Sequence, residues 1–289
     1  MARLGYVGLG IMGGPMARHL ATAKHSMTVY NRTTAKADAW VGHHGGARVL
    51  TPREVAQSSD VVLMCVGNDD DVRSVVFGED GILAGLKTGG ILVDHTTASA
   101  TIAREIAEAC AKQGCGFVDA PVSGGQAGAE NGQLTIMCGS NDSATFDAIE
   151  PIIAAYAKRS KLLGTAGSGQ LAKMVNQICI AGIAQGLSEA LNFAMRAGLD
   201  PDDVVDVISK GAAQSWQMEN RAKTMVRNEF EFGFAVEWMR KDLGICFDEA
   251  SRNGAQLPMT EMVDKFYAEV VAMGGKRWDT SSLIARLTD

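Results

Sequence analysis

Gly8, Gly10 and Gly13 form a G-x-G-x-x-G spacing in the 289-residue chain, with Leu9, Ile11 and Met12 between them. They directly follow an apolar run at 3–7 and open a helical pattern with Met16, Ala17 and Leu20 apolar. In that setting the glycines allow a tight turn, a close backbone approach to a pyrophosphate, and close packing of helix on strand, with the helix N-terminus facing the anion. The spacing alone is common by chance, and an ordinary glycine-rich turn is the competing reading. The end of the next apolar run carries Asn31, Arg32 and Thr33, at the place where dinucleotide folds read the adenosine ribose. No carboxylate stands there to repel a 2′-phosphate, and the Arg32 guanidinium matches one, with Thr33 and Thr34 as hydroxyl donors. NADP(H) is therefore the expected cofactor and NAD(H) the second choice; a merely solvated Arg32 is the competing reading.

A second set lies on one apolar helical stretch. Gln170, Lys173, Asn176 and Gln177 stand at i, i+3, i+6 and i+7 and so share a face. Lys173 is the only charge between Gly164 and Ser188. An ammonium on so apolar a helix is costly to bury unless paired or met by a ligand, and desolvation draws its pKa toward the range useful in proton transfer. All five histidines precede residue 96, so Lys173 is the best candidate for a general acid/base in the second half. A lysine on a helix is as commonly a solvated surface residue, and periodicity does not separate the two. The third set, Asp119-Ala-Pro121-Val-Ser123-Gly124-Gly125, follows a short apolar run of the kind beside which doubly wound sheets bind ligands. Ser123 and the accessible amides of Gly124 and Gly125 could hold a carboxylate; a structural turn is the other reading.

Composition narrows what these sets belong to. With 46% hydrophobic and 21% charged residues the chain is of ordinary globular type. Its net charge of −6 is evenly spread, 14 basic and 16 acidic residues in 1–163 against 13 and 17 in the remainder. Neither half offers the basic face that nucleic acid or anionic lipid requires. Six cysteines without a C-x-x-C pair point to free thiols in a reducing, cytoplasmic setting, and the histidines lack ligand spacing, so no metal site is expected. No uninterrupted apolar run approaches the roughly 18 residues of a membrane span, and the glycines with Pro15 break up what otherwise resembles a secretory leader. The expected partner is a small-molecule carboxylate, with no nucleic acid and no membrane.

Short apolar runs at 3–7, 27–30, 61–66, 91–93, 117–118 and 134–137 are mostly separated by helical patterns at 35–40, 69–77, 101–112 and 143–155. Such alternation builds βαβ units and a mostly parallel sheet covered on both faces. At Gly164-Thr-Ala-Gly167-Ser-Gly169 the pattern changes, and 170–196 reads as one long helix closed by Gly198. Helical patterns follow at 202–210, 216–226, 236–252 and 259–272. An α/β domain over 1–163 is thus expected to precede an all-helical one over 164–289, with a long helix at about 169–196 at its start.

Four motifs in order make the whole chain resemble the β-hydroxyacid dehydrogenases: Gly8-Leu-Gly10-Ile-Met12-Gly13-Gly-Pro-Met16-Ala17, the 119–125 segment, Gly167-Ser-Gly169-Gln170-Leu-Ala-Lys173, and Lys241-Asp242-Leu243. The resemblance implies a Rossmann-type domain joined by a long helix to an all-α domain, assembled as a homodimer or homotetramer. It implies Lys173 as general acid/base and Ser123, Gly124 and Gly125, with Asn176 and Gln177, on the substrate. The glycine turn from Gly8 to Gly13, the 31–33 segment and Val66 belong by resemblance to the cofactor, and Thr97 and Lys241 to its nicotinamide end. Lys173-Met-Val-Asn176-Gln177 and Gly254-Ala-Gln256-Leu257-Pro258 are similar to the branch that reduces tartronate semialdehyde (2-hydroxy-3-oxopropionate), whereas most 3-hydroxyisobutyrate dehydrogenases show Lys-x-x-Asn-Asn. Oxidation of 3-hydroxyisobutyrate and reduction of succinic semialdehyde or glyoxylate are the enzymatic alternatives. A non-catalytic dinucleotide sensor would be marked by loss of Lys173 or of the 123–125 segment, and both are present. Imine reduction on this scaffold typically replaces the lysine, so Lys173 argues against it.

Overall fold

The computed structural model describes residues 1–288 and divides into two compact units, Met1–Lys173 and the chain from Met174 onward. In the first, β1 (Arg3–Val7), α1 (Gly13–Thr22), β2 (Ser26–Tyr30), α2 (Thr34–His44), β3 (Ala47–Arg48), α3 (Pro52–Gln57) and β4 (Val61–Met64) form one half of a wound sheet. The other half is α4 (Asp69–Val76), α5 (Ile82–Gly85), β5 (Ile91–Asp94), α6 (Ala100–Lys112) and β6 (Gly116–Asp119). The six strands are all parallel, in the order β3-β2-β1-β4-β5-β6. Because side chains alternate along a strand, Tyr6, Leu63, Val93 and Val118 line up across one face in a core with Met16 and Leu20 of α1. Val7, Val62, Met64 and Leu92 face the opposite core with Ile102 and Ile106 of α6. Burial on both faces is why the strand sequences read as nearly unbroken apolar runs.

The run at 134–137 does not extend this sheet. It lies in β8 (Leu134–Cys138), the middle strand of a second sheet with β7 (Val122–Ser123) antiparallel and β9 (Ala157–Leu162) parallel to it; α7 (Gly125–Glu130) joins β7 to β8 and α8 (Ser143–Ile153) joins β8 to β9. Here β7 follows β6 almost directly, the chain turns back through α7, and pairing of Asp119 with Gly139 and of Val122 with Ile136 sets β8 antiparallel to that stretch.

The long helix α9 (Ser168–Arg196) leads into the second unit, with α10 (Pro201–Ile208), α11 (Trp216–Val226), α12 (Val236–Asn253) and α13 (Pro258–Ala272). Asp200 caps α10 at the amides of Asp202 and Asp203, with Pro201 opening the helix, as the sequence chemistry dictates. The second unit packs in part around Ala181, Ala184, Met239, Leu243, Val263 and Tyr267. Helix α9 is long and apolar enough to cross a bilayer, with a mean hydropathy of 1.3 over eighteen residues, which no uninterrupted run in the sequence indicated. Glycines and glutamines interrupt its runs without lowering its average. Its orientation is unusual: Gln170, Lys173, Gln177, Gln185 and Ser188 are buried, while Val175, Ile183 and Phe193 are exposed.

The glycine turn is set by backbone space. Gly8 has φ of 94°, and a Cβ there would lie 2.3 Å from the Cys65 carbonyl oxygen; a Cβ on Gly13 would lie 2.0 Å from that of Gly8. A Cβ on Gly10 would meet nothing within 4 Å. Gly13→Ala should therefore cost at least about 1–3 kcal/mol and lower the unfolding midpoint by several degrees. Gly10→Ala should leave it within about 0.5 kcal/mol of the parent. Calorimetry on both variants tests this, and equal midpoints for the two would refute it.

Candidate functional site

The first unit gathers its candidate residues at the C-terminal ends of its parallel strands, where doubly wound sheets bind ligands. The chain leaves β1 at Gly8, whose amide donates to the Tyr30 carbonyl at 2.9 Å. Leu9 N donates to Asn31 Oδ1 at 2.9 Å, and Asn31 Nδ2 donates to the Thr33 carbonyl at 3.0 Å. Asn31 thus fixes the shape of the turn, a role beyond the absence of charge read from its sequence position. Helix α1 begins without a capping side chain and without an acidic residue in its first turn. Its N-terminal end, beside the open space at Gly10, fits the pyrophosphate of a dinucleotide. Arg32, with 85% of its side chain exposed, has Nη1 3.0 Å from Asp71 Oδ1 on α4. So exposed an ion pair is weak, and a phosphate can displace it at small cost.

Strands β5 and β6 end on two buried carboxylates in register, Asp94 opposite Asp119. Asp94 Oδ1 accepts from Thr96 N at 2.8 Å, while Oδ2 has no hydrogen-bond partner among the described residues. Burial pushes the Asp94 carboxyl up to about 7, against the Thr96 hydrogen bonds and with the Asp119 charge adding to the rise. Asp119 Oδ1 accepts from Gly167 N at 2.7 Å and Oδ2 from Gln170 N at 2.9 Å, so this carboxylate holds the start of α9. Burial pushes it up to about 6, opposed by those amides. Gln170 is 1% exposed; its Oε1 accepts from Ala98 N at 3.1 Å and its Nε2 donates to the Thr96 carbonyl at 2.7 Å. The 96–98 loop, with Thr97 at its centre, is thereby bound to the first turn of α9, and Lys173 follows one turn later, 7% exposed. Thr96 Oγ1 also accepts from Val66 N at 3.0 Å, linking that residue to the same loop.

His95, beside Asp94, is held on both ring nitrogens. Its Nδ1 lies 2.7 Å from the Ala120 carbonyl oxygen and its Nε2 2.8 Å from Tyr156 Oη, and burial lowers its pKa to about 4. It is a neutral structural imidazole.

Ser123 closes β7 half-buried, and Gly124 and Gly125 follow with φ of 133° and 62°, exposed and in conformations that favour glycine. In the second unit, Gln177 Nε2 donates to Asp242 Oδ2 at 2.6 Å and Gln177 Oε1 accepts from Asn176 Nδ2 at 2.8 Å. Lys241 Nζ lies 3.0 Å from Asp242 Oδ1. The carboxylate of Asp242, 2% exposed, therefore organises both Gln177 and Lys241. Asp94, Thr96 and Asp242 carry roles that the residue types and spacing did not assign. The one signal pointing to the strand-end pair was a carboxylate closing an apolar run, in Ile-Leu-Val-Asp94 as in Phe-Val-Asp119.

Residues 3–167 match a family described as the NAD binding domain of 6-phosphogluconate dehydrogenase, and 167–287 one described as NAD-binding of NADP-dependent 3-hydroxyisobutyrate dehydrogenase. An uncharacterized oxidoreductase of Shewanella frigidimarina is 61% identical over 287 residues, 99% of this chain and 98% of that protein. The 2-hydroxy-3-oxopropionate reductase of Escherichia coli is 35% identical over 285 residues, 99% and 97% of the two chains. Among solved structures, that of Mycobacterium tuberculosis 3-hydroxyisobutyrate dehydrogenase with L-serine is similar at a TM-score of 0.91 and 29% identity, with both chains covered at 100%. Matches that run through both units, on a fold whose strand ends present a dinucleotide turn, place the chain in the β-hydroxyacid dehydrogenase family: it is an NAD(P)-binding oxidoreductase acting on a CH–OH group.

Proposed function

We propose that the protein interconverts a short 3-oxo acid and its 3-hydroxy acid with NADP(H), and that 2-hydroxy-3-oxopropionate and glycerate are its pair. The observation that carries the reading is Lys173, a buried ammonium one turn beyond a helix start anchored by a carboxylate. Bound on the glycine turn, the dinucleotide supplies the hydride that reaches the carbonyl carbon. Lys173 Nζ gives a proton to the carbonyl oxygen in reduction and takes it from the hydroxyl in oxidation. Ser123 Oγ and the amides of Gly124 and Gly125 hold the substrate carboxylate, and no arginine cluster accompanies them in the sequence to hold a phosphate. Gln177, with its amide shared between Asp242 and Asn176, orients Asn176 toward a substrate hydroxyl. That engagement removes one of the two amides the sequence offers to a hydroxylated substrate, and it favours 3-hydroxyisobutyrate as the second reading.

Residues 1–163 form the dinucleotide-binding part in this reading, and 164–289 the substrate and assembly part. The exposed apolar stripe of Val175, Ile183 and Phe193 along α9 supports a homodimer or homotetramer, which also accounts for the helix composition without a bilayer. Six free cysteines and bacterial relatives support a cytoplasmic setting.

The deciding measurement is kcat/KM for 2-hydroxy-3-oxopropionate against methylmalonate semialdehyde, with NADPH. A site that hydrogen-bonds a hydroxyl discriminates strongly against an analogue lacking it, so the first should lead; a clear lead for the methyl-branched substrate would move the assignment to the second reading. Lys173→Ala should lower kcat by about 10²- to 10⁴-fold with little change in dinucleotide affinity, and a kcat within a fewfold of the parent would put the acid/base elsewhere. Arg32→Ala should raise KM for NADPH and leave that for NADH nearly unchanged. Equal efficiency of the parent with both cofactors would remove the basis for NADP(H).

A further inference from the structure

Lys173 stands on a helix that follows a chain of small residues, Gly164 to Gly169, and an unsupported helix start of that kind frays. Asp119 prevents fraying by taking two backbone amides, and it ties the helix to β6. The 96–98 loop is held separately, to the segment after β4 through Thr96 Oγ1 and Val66 N, to β5 through Thr96 N and Asp94, and to α4 through the adjoining Ser99 and Asp69. Gln170 gives this loop two hydrogen bonds to α9. Its amide meets the loop as a peptide group would, accepting from Ala98 N and donating to the Thr96 carbonyl on either side of Thr97. Lys173 lies three residues on, on the same helix face.

We infer that Gln170 is a positioning residue: its side-chain amide clamps the loop around Thr97 to the turn that carries Lys173, so that proton donor and hydride donor are held in one register. The inference rests on the acid/base reading of Lys173 and on Thr97 flanking the nicotinamide. Misplacement of a reacting group by about 1 Å can lower a rate about a hundredfold, so a two-bond clamp one turn from the ammonium acts on kcat more than on binding.

The test uses the full-length enzyme with NADPH and the best semialdehyde of the screen. In Gln170→Leu both bonds are lost at similar volume, and kcat should fall about 10- to 100-fold with dinucleotide affinity within about threefold of the parent. In Gln170→Glu the side chain accepts from Ala98 N in either state but donates to Thr96 only when protonated. Its kcat should therefore recover toward the parent as pH falls, giving a limb that the parent and Gln170→Leu both lack, while the unfolding midpoint followed over the same pH range shows no matching change. The ionisable groups around this turn are Asp119 on β6, Asp94 on β5, Arg104 of α6 beside Gly167, and Lys173 on α9 itself. They are common to all three proteins, so the extra limb reports residue 170. A pH profile of Gln170→Glu parallel to the parent's overturns the clamp, and it decides the matter even where Gln170→Leu fails to fold. A kcat of folded Gln170→Leu within about threefold of the parent, with Lys173→Ala inactive, overturns the clamp alone. Full activity in Lys173→Ala overturns the acid/base reading and the clamp with it.

Discussion

The arrangement depends on one buried carboxylate. Asp119 ends the edge strand of the parallel sheet and, instead of meeting solvent, turns both oxygens onto the amides of Gly167 and Gln170. A carboxylate out of water is tolerable only where its lone pairs are met, and orphan amides at a helix start are tolerable only where something accepts from them. Each solves the other's problem. The fit is close: a Cβ on Gly139 would lie 2.5 Å from Asp119 Oδ1, and one on Gly169 2.8 Å from Oδ2. Gly139 and the glycine in the first turn of α9 therefore serve this close approach.

What could be read from residues alone follows the same physics. Backbone constraints were legible, because a glycine with no room for Cβ has no substitute; Gly8 and Gly13 announced the β1–α1 turn by their spacing. Periodicity revealed five of the six main strands and nearly the full extent of α9. The destination of the strand at 134–138 was not legible, because an apolar run of that length suits either sheet and only its antiparallel pairing with β7 decides. Side-chain partners were the least legible. Asn31 and Gln177 were read by what they could offer a ligand, whereas Asn31 accepts from Leu9 N and Gln177 donates to Asp242, bonds that join residues far apart in the chain.

Asp94 adds a second constraint at the same edge. Its folded-state pKa of about 7 stands above the ordinary 3.8, so the folded chain holds this proton more tightly than the unfolded chain does. The stabilisation is fully present below about 3.8 and is lost as pH rises through about 7. The fold thus keeps two carboxyls in register where their charges oppose each other, one bound to the amide of Thr96 and the other to the first turn of α9. Stability alone would not select such a pair; fixing the loop and the helix start at the sheet edge would.

Helix α9 shows the same priority along its whole length. An ordinary surface helix buries its apolar stripe and shows its polar one. Here Gln170, Lys173, Gln177, Gln185 and Ser188 are buried and Val175, Ile183 and Phe193 are exposed. A buried polar face demands partners, and much of it has them in Thr96, Ala98 and Asp242, in the Ala184 carbonyl that accepts from Ser188, and in Glu189, which accepts from Gln185 Nε2, while Gln185 Oε1 has no partner among the described residues. Polar groups satisfied in this way are held to single orientations, which the apolar contacts of Met174, Ala181, Ala184, Leu187 and Leu191 on the same helix do not impose. The inward face therefore combines a lysine and its supporting amides with a row of apolar contacts, and Val175, Ile183 and Phe193 are the apolar side chains left outside it.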